Sequence, residues 1–441
     1  MAEDLRAGRC DPLDLVAEVY DRIEAYGDDA LFIRLTRPRA EAEARAARER
    51  LRAGLPASCL DGVPLAWKDL FDLKGTATTA GSAVLLDAAP ATRDAALVHA
   101  GMRAGLVTVG AVNMTEFAFS GIGINPHFGT PRNPCDRAVH RSPGGSSSGS
   151  GAVVAAGIVP LSIGTDTGGS VRIPAAFNGV VGYKTSTGRF PMAGTFPLSR
   201  SLDTLGPLAR TVEDCVLADA VLRGHADADL RGADPAALNL VVPDVVMLDD
   251  LDPGVAAAFE ASLARIAATG ARVRHIAMPE LRETVEVMAR FAPLAAAEAM
   301  DTHGARLAGP DAARMDPRVV RRIRMGEKMT AVDLIRLHDA RRRLIGIAAE
   351  RLGDAILLCP TTAGVAMPIA PLEADIDLFF HHNFRTLRNT SLGNFLDWCG
   401  VSIPNGVDAD GMPTGLLLNA GHGRDHALLA ASLTLEAAIR G

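Results

Sequence analysis

The stretch Ser142-Pro143-Gly144-Gly145-Ser146-Ser147-Ser148-Gly149-Ser150-Gly151 is nothing but glycine and serine apart from one proline. An apolar stretch follows, and then Gly164-Thr165-Asp166-Thr167-Gly168-Gly169-Ser170. Glycine at this density costs backbone entropy, so a fold tolerates it where the backbone must approach something closely. Upstream, Gly62-Val63-Pro64-Leu65-Ala66-Trp67-Lys68-Asp69 carries a short apolar run into a lysine. The three segments predict a site at which Lys68, Ser146 and Ser170 meet a small polar group such as a carbonyl.

The rest of the chain sets the frame. Its 441 residues can bury a large core, as one big α/β unit or two smaller ones. No internal repeat, low-complexity tract or linker divides it, so the expectation is one domain over residues 1–441, with a helical cover or pocket insertion at about 250–350. A net charge of -7 and the lack of a long basic run give no footprint for nucleic acid. Apolar runs stop well short of a membrane span. The six cysteines form no C-x-x-C pair and the start has no signal-peptide pattern, which fits reduced thiols in a cytoplasm.

Asp11-Pro12 is a helix start, a capping residue followed by proline at the first helical position. Residues 38–53 form a second helix, rich in arginine and alanine. Strands are expected at 106–109, 159–163, 180–183, 355–358 and around 414–418, with a small-residue helix at 152–156. Thr211 and Asp214 resemble a capping box, and an amphipathic helix closes the chain from about 425 to 439. Residues 250–350 read as helical and arginine-rich, including Arg318, Arg321, Arg322 and Arg324. Strands alternating with helices imply a mostly parallel or mixed sheet covered on both faces.

A serine hydroxyl is a weak nucleophile and needs a base to take its proton. Three readings of the glycine- and serine-rich core compete. Gly145-Ser146-Ser147-Ser148-Gly149 formally matches a G-x-S-x-G nucleophile elbow, with Asp397 and His422 or His426 as partners later in the chain, but His140-Arg141 before it is irregular where a strand is required. A phosphate cradle lacks both the G-x-x-x-x-G-K-[ST] pattern and a preceding strand. The third reading makes Lys68 the base, acting through a bridging serine, because burial favours the neutral amine. His381-His382 and the His422/His426 pair form no metal motif, and surface or structural roles are expected for them. Phe379, Phe380, Phe384, Phe395 and Trp398 crowd one short region, either as core or as the lining of a substrate pocket.

On these residues the chain resembles the amidase signature family, most strongly over a signature core at 61–215. The carriers are Gly144–Ser150, Gly164–Ser170 with its serine 24 positions after Ser146, the G-x-P-x-x-x-K-D element at Lys68, Ala111–Ala118, and Ser201–Pro207. Pro404-Asn405-Gly406 and Gly411–Leu416 match the closing pattern, whereas 220–380 carries little signal. The resemblance implies an α/β/α sandwich around a large mixed β-sheet and an enzyme that hydrolyses a carboxylic amide without metal or organic cofactor. It makes Ser170 the nucleophile, Ser146 a proton relay in a cis peptide linkage, and Lys68 the neutral base. The N–H groups of Thr167, Gly168, Gly169 and Ser170 would form the oxyanion hole, with Ser147, Asp166 and Arg172 supporting that loop. The partner is a small-molecule amide, esters and carbamates are side substrates, and the state is monomer or homodimer. Ser148 and Lys184-Thr185 depart from the usual glycine and Lys-Pro. The A subunit of a tRNA-dependent amidotransferase is the rival within the family, though Gly188-Arg189 here runs into Phe190-Pro191. A catalytically silent binding protein on the same scaffold is the rival outside it.

Overall fold

The computed structural model describes residues 1–441. Its strands are β1 (Phe32–Leu35), β2 (Pro64–Lys68), β3 (Val107–Val112), β4 (Leu161–Asp166), β5 (Val181–Lys184), β6 (Thr204–Ala209), β7 (Asn239–Pro243), β8 (Arg272–Ile276), β9 (Ile356–Pro360), β10 (Cys399–Val407) and β11 (Pro413–Ala420). All eleven join one sheet in the order β1-β3-β2-β4-β6-β5-β10-β11-β9-β7-β8. β2 runs parallel to β3 and β4, and β7 parallel to β8 and β9; the remaining pairs are antiparallel.

Successive side chains on a strand point to opposite faces, and here both faces are covered. Leu65 and Trp67 join the core on one side, and Ala66 joins the core on the other. The same split separates Leu416 and Leu418 from Leu417, and Leu240 and Val242 from Val241. Helices Ala96–Arg103, Val212–Leu222, Pro253–Ala268 and Asp425–Arg440 cover the first face. The second face carries Pro12–Tyr26, Arg37–Arg52, Ser148–Ala155, Arg172–Asn178 and Ile376–Phe395. The molecule is a mixed α/β fold with helices on both sides of an 11-stranded sheet.

Local signals set the helix starts. The Asp11 side chain accepts from the Leu13 N–H ahead of Pro12, and Thr211 accepts from the Asp214 N–H. The alanines of Arg37–Arg52 supply its buried stripe while the arginines stay outside. The 250–350 stretch is helical as expected except at one place. Pro253–Ala268 packs on the sheet itself, and Arg272-Val273-Arg274-His275-Ile276 is an edge strand whose charged, largely exposed side chains hid it. The cover proper consists of Pro279–Phe291, Leu294–Leu307, Pro317–Arg324 and Ala331–Leu352.

Candidate active site

Two neighbouring parallel strands, β2 and β4, end side by side at Lys68 and Asp166. The carboxyl ends of parallel strands open into a crevice that their loops can furnish with functional groups. Lys68 is fully buried, with its Nζ 2.7 Å from Oγ of Ser146 and 2.7 Å from Oγ1 of Thr165. Burial drives its ammonium down to about 7, and the charges of Asp203 and Asp166 pull partly the other way. A neutral amine against a hydroxyl can take that hydroxyl's proton.

Ser146 follows a cis peptide bond from Gly145. Its carbonyl accepts from the Thr115 N–H at 3.0 Å. A Cβ on Gly145 would sit 2.6 Å from the Gly123 nitrogen and 2.7 Å from the Ser120 oxygen, so only glycine fits between these backbones. The segment from Asn113 to Gly123 therefore holds the serine-rich loop in place.

Ser170 ends the loop that leaves β4. The Asp166 carboxylate gathers that loop, accepting from the N–H groups of Gly169 (2.9 Å) and Val171 (3.1 Å), from Arg172 Nε and Nη2, and from Asn394 Nδ2. Burial alone would raise this carboxyl, but the Arg172 charge and hydrogen bonds outweigh it and hold Asp166 well below the usual carboxylate range. Thr167 Oγ1 donates to Asp203 at 2.5 Å, and Thr390 Oγ1 donates to the Gly168 carbonyl at 2.6 Å. The Ser147 N–H donates to the Ser170 carbonyl at 3.3 Å. With the carbonyls thus tied back, the N–H groups of Thr167, Gly168 and Ser170 make no hydrogen bond within the protein. Of the four amides expected to form an oxyanion hole, that of Gly169 is turned toward Asp166 instead.

Ser170, Thr167 and Gly168 line a cavity whose other walls are mainly apolar, including Phe119, Leu198, Leu202, Leu294, Leu387 and Phe395. Its one charged residue is Arg322. The cavity shares Met288, Pro293, Arg322, Leu387 and Ser391 with a larger outer space flanked by Phe384 and Arg388. Of the five expected aromatic residues, Phe395 thus faces the cavity and Phe384 the outer space. The other three do not line the site: Phe379 and Phe380 pack with Ile122, Ile124 and Leu372, and Trp398 belongs to the core on the second face of the sheet.

The elbow reading finds no support in the geometry. Ser147 caps a helix that no strand precedes, and its Oγ donates to the Thr165 carbonyl. His422 pairs with Asp397 at 3.1 Å and is half exposed, while His426 borders a separate surface groove with Asp229. No group of three or more His, Cys, Asp or Glu side chains is placed to hold a metal ion, and no helix is long and apolar enough to cross a membrane. Thr165, Asp203, Thr390, Asn394 and Arg322 join the site without having stood out in the sequence as its members. The first two lie inside segments with a recognisable pattern, Arg322 comes from the poorly patterned 220–380 stretch, and Thr390 and Asn394 come from the segment after it.

A family model described as Amidase matches residues 14–429. The chain belongs to the amidase signature family. It is similar to the 2-amino-5-chloromuconic acid deaminase of Comamonas testosteroni, at 37% identity over 91% of this chain and 87% of that protein. The mandelamide hydrolase of Pseudomonas putida is 32% identical over 99% and 90%. The glutamyl-tRNA(Gln) amidotransferase of Ralstonia nicotianae has an A-type subunit that is 33% identical over 94% and 92%. A crystal structure of an amidase superposes with a TM-score of 0.86 at 33% identity, over 99% of this chain and 98% of the other.

Proposed function

We propose that this amidase-family protein hydrolyses a carboxylic amide to an acid and ammonia or an amine, by way of an acyl-enzyme on Ser170. Neutral Lys68 draws a proton from Ser146 as Ser146 draws one from Ser170, whose oxygen attacks the carbonyl carbon. The carbonyl oxygen turns toward the N–H groups of Thr167, Gly168 and Ser170 as negative charge develops on it; a preorganised donor of this kind is worth roughly 3 kcal/mol in the barrier. The proton then returns through Ser146 to the departing nitrogen, and water attacks the ester that remains. The observation that carries this reading is the buried Lys68 amine 2.7 Å from Ser146, brought down to about 7 by its surroundings.

Ser170→Ala is expected to retain the fold and lose turnover, and a fluorophosphonate is expected to add covalently to Ser170 in the native enzyme. An adduct confined to Ser147, or more than a few per cent of native kcat in pure Ser170→Ala, would sink the assignment. The substrate screen spans aryl and short aliphatic amides, esters and carbamates, and includes 2-amino-5-chloromuconic acid because a relative is named for it. Likeness to a component of a tRNA-dependent amidotransferase supports a second reading, in which ammonia from glutamine passes to a partner protein. Glutaminase activity that rises on addition of such a partner would favour it over free amide hydrolysis.

A further inference from the structure

Arg322 is buried to 8% exposure and is unlike the other deeply buried cations. Arg172 is paired with Asp166, and Lys68 and Lys184 both feel the Asp166 charge. Arg322 has no acidic group acting on it, and burial alone brings it down to about 10. Its hydrogen bond within the protein runs from Nη1 to the Phe119 carbonyl at 3.1 Å, and its Nε is buried without a partner. The guanidinium lies over the Phe119 ring at 4.3 Å and pairs with no carboxylate. It borders both the Ser170 cavity and the outer space, and neither is lined by an aspartate or glutamate. On the outer wall, Arg388 also keeps a buried Nη2 without a partner.

A desolvated guanidinium with free donors is costly unless an anion completes it, and its planar fork matches a carboxylate. Resting on the amidase reading, we propose that Arg322 receives a carboxylate carried by the substrate, so that the preferred amides are anionic ones such as half-amides of dicarboxylic acids. The apolar walls between Ser170 and Arg322 would take the carbon chain joining the two groups. Arg322 then selects the substrate by the group remote from the bond that breaks.

Calorimetric binding to the Ser170→Ala protein, which cannot turn substrate over, compares glutaramate and adipamate with uncharged pentanamide and hexanamide. The anionic amides are expected to bind about 100-fold more tightly. Arg322→Gln in the same background is expected to bring them down to the level of the neutral amides, which keep their affinity. Arg322→Lys recovers part of the difference, having the charge without the fork. Equal binding of charged and uncharged amides, or no binding of either, overturns the proposal, and that comparison stands even where an Arg322 variant fails to fold. A loss in Arg322→Gln that is equal for both kinds also overturns it. Native-enzyme turnover keeps the two readings apart. Hydrolysis without preference for the anion removes the carboxylate site and leaves the amidase, whereas tight anion binding with no amide turned over removes the amidase.

Discussion

A lysine amine enclosed by apolar side chains and two hydroxyls is a different reagent from one at the surface, because the protonated form has lost its water. With Lys68 held at about 7, its neutral fraction grows as pH rises through that value, so kcat/KM for an amide is expected to climb on a limb near pH 7 and level off above it. Lys68→Arg stays protonated and Lys68→Ala has no base; each is expected to lose most amide hydrolysis, with ester hydrolysis falling less because its leaving group needs less help from a proton. An unchanged limb in Lys68→Arg would remove lysine from the mechanism. Asp203 favours the ammonium form through its charge, so Asp203→Asn is expected to move the limb to lower pH, read from the same profile. It should also cost rate, since Asp203 holds Thr167. Lys68, Ser146 and Ser170 stood out as candidates because glycine crowds the segments around the two serines and an apolar run leads into the lysine. Arg322 did not: Arg318, Arg321, Arg322 and Arg324 look alike in sequence, and only the rotation of their helix turns Arg322 inward and Arg321 and Arg324 out.

The loop from Asp166 to Arg172 and the helix Ile376–Phe395 work as one unit. Gly169 has a φ of +135°, and a Cβ there would meet Thr390 Oγ1 at 2.2 Å. Gly169→Ala is therefore expected to lower kcat by about 100-fold or more while circular dichroism stays near native, because one displaced amide donor alone costs on that order. Thr390→Val removes the hydroxyl that holds the Gly168 carbonyl. A destabilisation of about 1 kcal/mol by denaturant unfolding is expected, along with a smaller loss of rate. Elements such as β4, β9 and β11 were readable from apolar runs, though β4 runs on to Asp166, where hydrophobicity has ended but strand pairing has not. The aromatic run was ambiguous for a physical reason. On one helix Phe379 and Phe380 turn to the core and Phe384 to the outer space, and composition does not say which way a helix faces.

At the scale of the molecule, two carboxylates help fasten the cover to the rest of the fold. Glu116 accepts from Ser82 Oγ and from the Asp316 N–H at the start of Pro317–Arg324. Glu298, on the helix that brings Leu294 and Ala295 to the cavity, accepts from the hydroxyls of Ser199 and Ser201. Glu298→Ala is expected to raise KM about tenfold with a smaller effect on kcat, because it frees a wall of the cavity and leaves the Lys68 relay intact; losing hydrogen bonds of this kind costs about that much. Equal losses in both constants would refute the separation. The clamp on the loop from Asp166 to Arg172 has a further consequence during synthesis. Lys68, Ser146 and Ser170 have all been made by residue 170, yet Arg172 finds the Thr390 carbonyl and the Asn394 amide 218 and 222 residues later, and β5 has no β10 beside it until residue 399 is added. The three groups therefore leave the ribosome well before Arg172 has the partners on Ile376–Phe395 that tie down the loop between Asp166 and itself.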